Sequence, residues 1–281
     1  MILISGATGT IGRALLHQLS AQGVPVRAMT RDPARVRDLP GVEAVRGDFT
    51  DPASLSRAVA GVDAVFLLTA PSAPVAEHDA AMVAAARAAG VRRVVKLSAI
   101  RVPELDEWSF HLAGERVLRD SGLDWTVLRP ASFASNTLSW APAIRAGAPV
   151  PNPSGAGRQG VVDPRDVAAV AARVLTAGGH HGAVYTLTGP AAISVPDQAR
   201  HLSAVLGTPV PVRDLPAAEY REVLVGAGMD AGFVEVAVRG TSVVREGGGA
   251  TVTDDVARIL GRPATPYENW AGAHRAAFLA G

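Results

Sequence analysis

Residues 107–115 read EWSFHLAGE, with His111 four residues before Glu115. On a helix that spacing puts both side chains on one face. Three readings fit the pair. His111 is a proton donor, since an imidazole titrates near pH 6.5; or it contacts a ligand without giving up a proton; or it is an ordinary hydrogen-bonded helix residue, with Glu115 a surface partner of Arg119. A zinc site is not expected. Two helical ligands are too few, and the adjacent pair His180–His181 sits in a remote glycine stretch.

The second chemical stretch is GATGTIG, with Gly6, Gly9 and Gly12. It follows a short apolar run and opens a helical pattern, which is the context that gives a glycine fingerprint meaning. Gly6 can make the tight turn, Gly9 lets a pyrophosphate approach the backbone, and Gly12 allows close packing of helix on strand. The bland alternative is a plain turn. A dinucleotide is favoured, and Arg31 says which one. An NAD site places an acid at the end of the second strand to bond the ribose hydroxyl. Here RAMTRDP ends on Thr30 and Arg31, and a guanidinium suits a 2′-phosphate. NADP, with NADPH preferred over NADH, is the expected cofactor.

The elements around these stretches alternate. Strand-like runs at 2–5, 24–29, 42–47, 62–68, 91–98 and 124–130 are separated by helical patterns at 10–22, 52–60, 74–89 and 106–121. Such alternation predicts an α/β fold, a doubly wound parallel sheet, whose ligands bind beyond the carboxyl ends of the strands. After Pro130 the rhythm breaks. Residues 141–160 read as loops, 162–178 as a helix, 183–189 as a strand. The rest is mostly helical, at 195–206, 216–226, 230–244 and 266–279, with a short strand at 210–213. We therefore expect a Rossmann core over 1–130 and a smaller, mostly helical substrate lobe over 131–281, with segments near 160–190 returning to the core.

Composition narrows the classes. Hydrophobic residues make up 48% and charged residues 19%, enough apolar content for a large core. A net charge of +1 argues against nucleic-acid binding. The chain has no cysteine, which removes disulfides and thiolate chemistry. No apolar run approaches the roughly 18–20 residues of a membrane span, and the N-terminal stretch does not read as a secretory signal. A cytoplasmic protein is expected. No G-x-S-x-G or G-x-x-x-x-G-K-[ST] pattern points to a hydrolase or a P-loop enzyme.

Taken in order, GATGTIGR, TRDP, RGDFTDPASL, DAVFLLT, GVRRVVKLSA, SGLDWTVLRPASFASN and VDPRDVAAVAA resemble the NmrA-like branch of the atypical short-chain dehydrogenase/reductases over about residues 1–190. That branch includes NADPH-dependent quinone reductases and NADP-sensing regulators. The resemblance implies that Gly6, Thr8, Gly9, Thr10, Ile11 and Gly12 line the pyrophosphate and that Arg31 meets the adenosine phosphate. It places Asp48 and Phe49 beside the adenine, and Leu68, Thr69 and Ala70 along the cofactor. Ser98 lies near the nicotinamide, as a cofactor contact and a catalytic candidate, and Pro130 to Phe133 border it. Extended relatives carry K-x-x-G-E with a tyrosine four residues earlier. Here HLAGE fills that frame, with His111 in the lysine place and Glu107 in the tyrosine place. The ordinary Tyr/Lys pair is absent: the only lysine is Lys96, and none of Tyr185, Tyr220 and Tyr267 has a lysine four residues on. Lys96, on the fifth strand, is expected to point elsewhere.

The expected function is hydride transfer from NADPH to a small apolar acceptor, a quinone or related carbonyl. Quinone reduction suits a site without a dedicated proton donor. The alternatives are an NADP-sensing regulator without turnover and a biosynthetic reductase or epimerase. Trp108, Phe110, Phe133 and Trp140 are candidate walls of the substrate pocket, with core packing as the competing role. A homodimer through helices 74–89 and 106–121 is expected by analogy with the fold.

Overall fold

A computed structural model describes residues 1–36, 38–70 and 74–279, without the side chains of Glu104, Glu107 and Trp108. In chain order the elements are β1 (Ile2–Ile4), α1 (Thr10–Ala21), β2 (Val26–Thr30), β3 (Val42–Arg46), α2 (Pro52–Val59), β4 (Ala64–Leu67), α3 (Val75–Ala88), β5 (Arg93–Leu97), α4 (Leu112–Arg119) and β6 (Asp124–Pro130). Then come α5 (Ala141–Arg145), β7 (Val150–Asn152), β8 (Arg158–Gly160), α6 (Pro164–Thr176), β9 (Ala183–Leu187), β10 (Ala192–Ser194), α7 (Val195–Leu206) and β11 (Val212–Asp214). The chain closes with α8 (Ala217–Gly226), α9 (Ala231–Arg245), α10 (Asp255–Leu260), α11 (Tyr267–Ala273) and α12 (Arg275–Leu279).

The contacts divide into two units. The first holds 1–100, 110–130 and 164–186; the second holds 101–109, 131–163 and 187–281.

The first unit is built on a seven-stranded sheet in the order β3-β2-β1-β4-β5-β6-β9. Strands β1 to β6 pair in parallel. Order runs one way from β1 to β3 and the other way from β4 on, so the switch point lies between β1 and β4. The apolar runs read as strands become central ones: all four residues of β4 are buried, as a strand covered on both faces requires. Helix α1 buries Ile11, Leu15, Leu16 and Leu19, the stripe its spacing predicts. Helix α2 starts where Asp51 accepts from the amides of Ala53 and Ser54, with Pro52 in its first turn. Leu55, Val59, Val65, Met82, Val94 and Leu118 form the core under α2, α3 and α4.

The helix expected over 106–121 is two pieces. Pro103–Trp108 is a 3₁₀ helix, and α4 begins only at Leu112, with His111 as its N-cap. Pro103 suits the first turn of a short helix, and the extended backbone at Ser109 ends it. His111 and Glu115 therefore bracket a first turn rather than share a mid-helix face.

The second unit has its own core of Trp140, Leu202, Tyr267, Trp270 and Phe278. Helix α7 has a capping box, Ser194 with Asp197, and ends at Gly207 in the left-handed region (φ 77°). Residues 141–160, read as loops, contain α5, β7 and β8. They were hidden because three- to five-residue elements carry too few positions to show a period. The helix read at 266–279 breaks at His274, and α10 and the 3₁₀ helix Ala134–Trp140 add to the pattern. No described helix is long and apolar enough to cross a membrane.

Candidate functional site

The carboxyl edge of the sheet opens into a cavity of about 480 Å³ lined by Gly6, Thr8, Gly9, Met29, Thr30, Arg31, Gly47, Asp48, Phe49, Leu68, Ala70 and His78. Gly6 holds φ +61°, and a β-carbon there would lie 2.6 Å from the Leu68 side chain. At Gly12 a β-carbon would stand 2.2 Å from the Gly6 carbonyl oxygen, so helix and loop touch backbone to backbone. Ser5 fastens the switch point. Its Oγ accepts from the Leu68 amide (2.8 Å) and donates to the Leu68 carbonyl (3.0 Å). No side chain caps α1, whose N-cap is Gly9, so its first amides face the loop as a ready anion site. Arg31 is exposed and makes no hydrogen bond among the described residues. Bonds from the Thr50 amide and hydroxyl hold the Asp48 carboxyl below its ordinary range.

These features fit a dinucleotide. The glycine cradle leaves room for a pyrophosphate, α1 offers it uncapped amides, and Arg31 has its guanidinium in reserve. His78, which no sequence motif marks, stacks on Phe49 (centroids 5.1 Å apart, planes within 8°), and its Nε2 is enclosed without a partner among the described residues.

The next stretch of the edge is built differently. Lys96 Nζ donates to Asp79 Oδ2 at 2.5 Å, both side chains are fully buried, and Thr69 Oγ1 donates to Asp79 Oδ1 at 2.8 Å. A β-carbon on Gly114 would fall 2.0 Å from Asp79 Oδ2, so α4 crosses α3 there because residue 114 has no side chain. A signal for Asp79 existed. It shares the stripe of Val75, Met82, Val83 and Ala86 on α3, so an acid stood on a buried face, and its partner had to be the one lysine on a buried strand.

Glu115 is no surface residue. It is 1% exposed, and its carboxylate takes Ser98 Oγ (2.6 Å) and Arg129 Nε (3.0 Å) on Oε1, and Arg129 Nη2 (2.6 Å) and Arg119 Nη2 (3.0 Å) on Oε2. The expected partner Arg119 is present, joined by Ser98 just after β5 and Arg129 on β6. Burial alone would raise the Glu115 carboxyl, but the bonds from Arg129 and Ser98 and the two guanidinium charges outweigh it and leave it lowered. The Gly-Glu pair thus has two structural duties: Gly114 admits the Asp79–Lys96 pair, and Glu115 ties the ends of β5 and β6 to α4.

His111 makes no side-chain bond to Glu115, and its Nδ1 is buried without a partner among the described residues. Burial first, then the Lys96 ammonium, push its pKa down to about 4 against the opposing pull of Glu115. The lowered pKa favours the neutral imidazole at pH 7.

Of the residues proposed from the sequence, Gly6, Thr8, Gly9, Arg31, Asp48, Phe49, Leu68 and Ala70 come together on the one cavity. Thr10, Ile11 and Gly12 form the first turn of α1, with Ile11 turned into the core. The Thr69 hydroxyl is spent on Asp79 and that of Ser98 on Glu115. Pro130 ends β6 in the first unit, and Phe133 is half-buried in the second, bridged to Val162. Trp140 packs in the core of the second unit. Phe110 is half-buried in the first unit, and the side chains of Glu107 and Trp108 lie outside the described residues.

Residues 6–177 match a family model described as NAD(P)H-binding. A (4-alkanoyl-5-oxo-2,5-dihydrofuran-3-yl)methyl phosphate reductase of Streptomyces griseus is 43% identical, over 99% of each chain. An NAD(P)H azoreductase of Xenophilus azovorans is 35% identical, again over 99% of each. Among solved structures, an NADPH-dependent quinone oxidoreductase of Escherichia coli complexed with NADPH superposes with a TM-score of 0.85 at 28% identity, over 97% of this chain and 99% of that one.

Proposed function

The chain belongs to the NAD(P)H-binding family, and we propose that it is an NADPH-dependent oxidoreductase that reduces small conjugated acceptors of the quinone type. The glycine loop and the first amides of α1 hold the pyrophosphate, and Arg31 takes the 2′-phosphate. Asp48, Phe49 and His78 enclose the adenine end. When bound, the cofactor supplies the hydride.

One observation carries the choice of acceptor: the hydroxyl and the ammonium group nearest the end of β5 are already committed. The Ser98 hydroxyl donates to Glu115 and the Lys96 ammonium to Asp79. The lowered pKa of His111 favours its neutral form at pH 7. The tyrosines are no better placed. Tyr185 pairs with His180 at 2.9 Å, Tyr267 donates to Thr137 at 2.9 Å deep in the second unit, and burial raises the Tyr220 phenol. An acceptor whose reduced form is a stabilised anion needs none of them, because water can protonate it afterwards. Quinones meet that condition. The three relatives fit it as well, since the acyl-dihydrofuranone, azo and quinone groups in their names are all conjugated acceptors.

The test is NADPH oxidation, followed at the nicotinamide absorbance, with a panel of quinones, azo dyes and simple aldehydes. Saturable turnover of quinones with little or none of aldehydes is the expected result. Tight NADPH binding without turnover of any acceptor would instead make the chain an NADP-sensing protein. A homodimer through α3 and α4 belongs to the same proposal, and light scattering after gel filtration checks it.

A further inference from the structure

The cavity is walled by the ends of β3, β2, β1 and β4, but the edge of the sheet continues. Adjacent strands lie ~4.8 Å apart, so those four ends cover about 14 Å. The next end along is that of β5, and the residue leaving it is Ser98. With the pyrophosphate on the loop after β1 and the adenosine phosphate at Arg31 after β2, the other half of the dinucleotide is carried toward β4 and β5.

Ser98 is held at both its amide and its hydroxyl. Its amide donates to the Leu128 carbonyl at 2.7 Å, which fixes the backbone. Its hydroxyl donates to Glu115 Oε1 at 2.6 Å. A free hydroxyl rotates to offer either a donor or an acceptor. This one cannot. Glu115 receives three guanidinium bonds, two from Arg129 and one from Arg119, and stays ionised, so it has only acceptors to present. The Ser98 hydrogen has one destination, and the polar function left to its oxygen is to accept.

We propose that Glu115 is a positioning residue that fixes Ser98 as a hydrogen-bond acceptor, and that the donor it receives is the carboxamide N–H of the nicotinamide. The inference rests on the cofactor reading above. It gives the Gly-Glu pair a role at the site: α4 delivers a buried carboxylate whose charge sets the polarity of the neighbouring strand end. It also explains why two arginines are spent on one acid. A protonated or neutral partner at position 115 would let Ser98 turn its hydrogen toward the ligand.

Binding measures this without turnover. Calorimetric titration compares NADP⁺ with its 3-acetylpyridine analogue, which keeps a carbonyl but has no amide N–H. The wild-type chain should prefer the carboxamide about five- to tenfold, the worth of one neutral hydrogen bond. Ser98→Ala and Glu115→Gln should each cut that preference to about twofold or less. The preference for NADP⁺ over NAD⁺, set at Arg31, should not move in either variant. A general loosening of the fold weakens both nucleotides alike and leaves the ratio in place, so the ratio separates positioning from support. Should Glu115→Gln fail to fold, Ser98→Ala decides alone. Equal wild-type affinity for the two nucleotides, or an unchanged preference in Ser98→Ala, overturns the proposal and leaves the cofactor reading standing. Failure of the wild-type chain to bind any of these dinucleotides overturns both.

Discussion

Two stretches of one sheet edge are built to opposite rules. From β3 to β4 the wall is glycine, short loops and uncommitted polar groups: an exposed Arg31, an uncapped α1 and an orphaned His78 nitrogen. From β5 to β6 almost every polar group is paired. Asp79 holds Lys96 and Thr69, and Glu115 holds Ser98, Arg129 and Arg119. The first stretch keeps bonding capacity for a ligand and accepts a less satisfied free state. The second uses its capacity internally, so its atoms are in place before any ligand arrives. Preorganised polar groups of this kind need no rearrangement at the moment of use.

The contrast breaks most visibly at Gly114. Gly114→Ala drives a β-carbon into Asp79, and the buried ion pair must separate or α4 must move. We expect a loss of about 3–5 kcal/mol, the cost of disrupting a buried pair, read as a shift in the urea midpoint. Lys96→Met alone should cost about as much, because it leaves Asp79 buried and uncompensated. Joining it to Asp79→Leu should recover most of the loss. If the double variant is as weak as the single one, the pair does more than neutralise itself.

His111 sharpens the same contrast through pH. Its folded pKa of about 4 lies below the ordinary value of 6.5, because burial and Lys96 oppose the charged ring. Unfolding therefore takes up a proton between those values. The associated stability is fully present above pH 6.5 and is lost as pH falls toward 4, by at most about 3 kcal/mol. His111→Asn should flatten stability against pH over that window, measured by urea titration at each pH. An unaltered slope would mean that the imidazole is not held neutral.

Arg31→Asp acts only on the open stretch. It removes a charge-assisted bond to a 2′-phosphate, so NADPH affinity should fall roughly 10- to 100-fold while NADH changes little and stability stays level. Calorimetry with both nucleotides checks this. An unchanged NADPH/NADH ratio would dismiss Arg31 as the discriminating residue.

The open stretch was far more legible in the sequence than the closed one. Its glycines follow one another locally, and Thr30–Arg31 falls at a strand end that the apolar pattern marks. The periods of 2 and 3.6 that reveal β4, α1 and α7 rest on many residues each. Glu115 was read as a surface residue because an i, i+4 acid–arginine pair looks alike on any helix. Its other partners, Ser98 just after β5 and Arg129 on β6, come from distant parts of the chain, and no local spacing announces them. The break between the 3₁₀ turn and α4 was missed for a related reason: EWSFHLAGE has a helical spacing, and Pro103 starts a shorter helix than the pattern suggests. Asp79 and Lys96 were findable, since each charge interrupts a buried stripe.

The smallest effect probes the open stretch from its other wall. His78→Leu keeps a side chain of similar bulk against Phe49 but deletes a nitrogen that has no partner among the described residues. Removing an unsatisfied buried polar atom does not cost stability and can raise it, by up to about 1 kcal/mol. If that nitrogen is kept for the adenine end of the cofactor, the same substitution must weaken NADPH and NADH by the same few-fold factor, because both carry adenine. Opposite signs for stability and affinity are the signature of a group reserved for a ligand. At Lys96 or Gly114, by contrast, stability falls first and affinity follows it. A His78→Leu chain that is less stable and binds as before would move His78 to the closed kind of construction, and the boundary between the two stretches would run beside α3 rather than through it between His78 and Asp79.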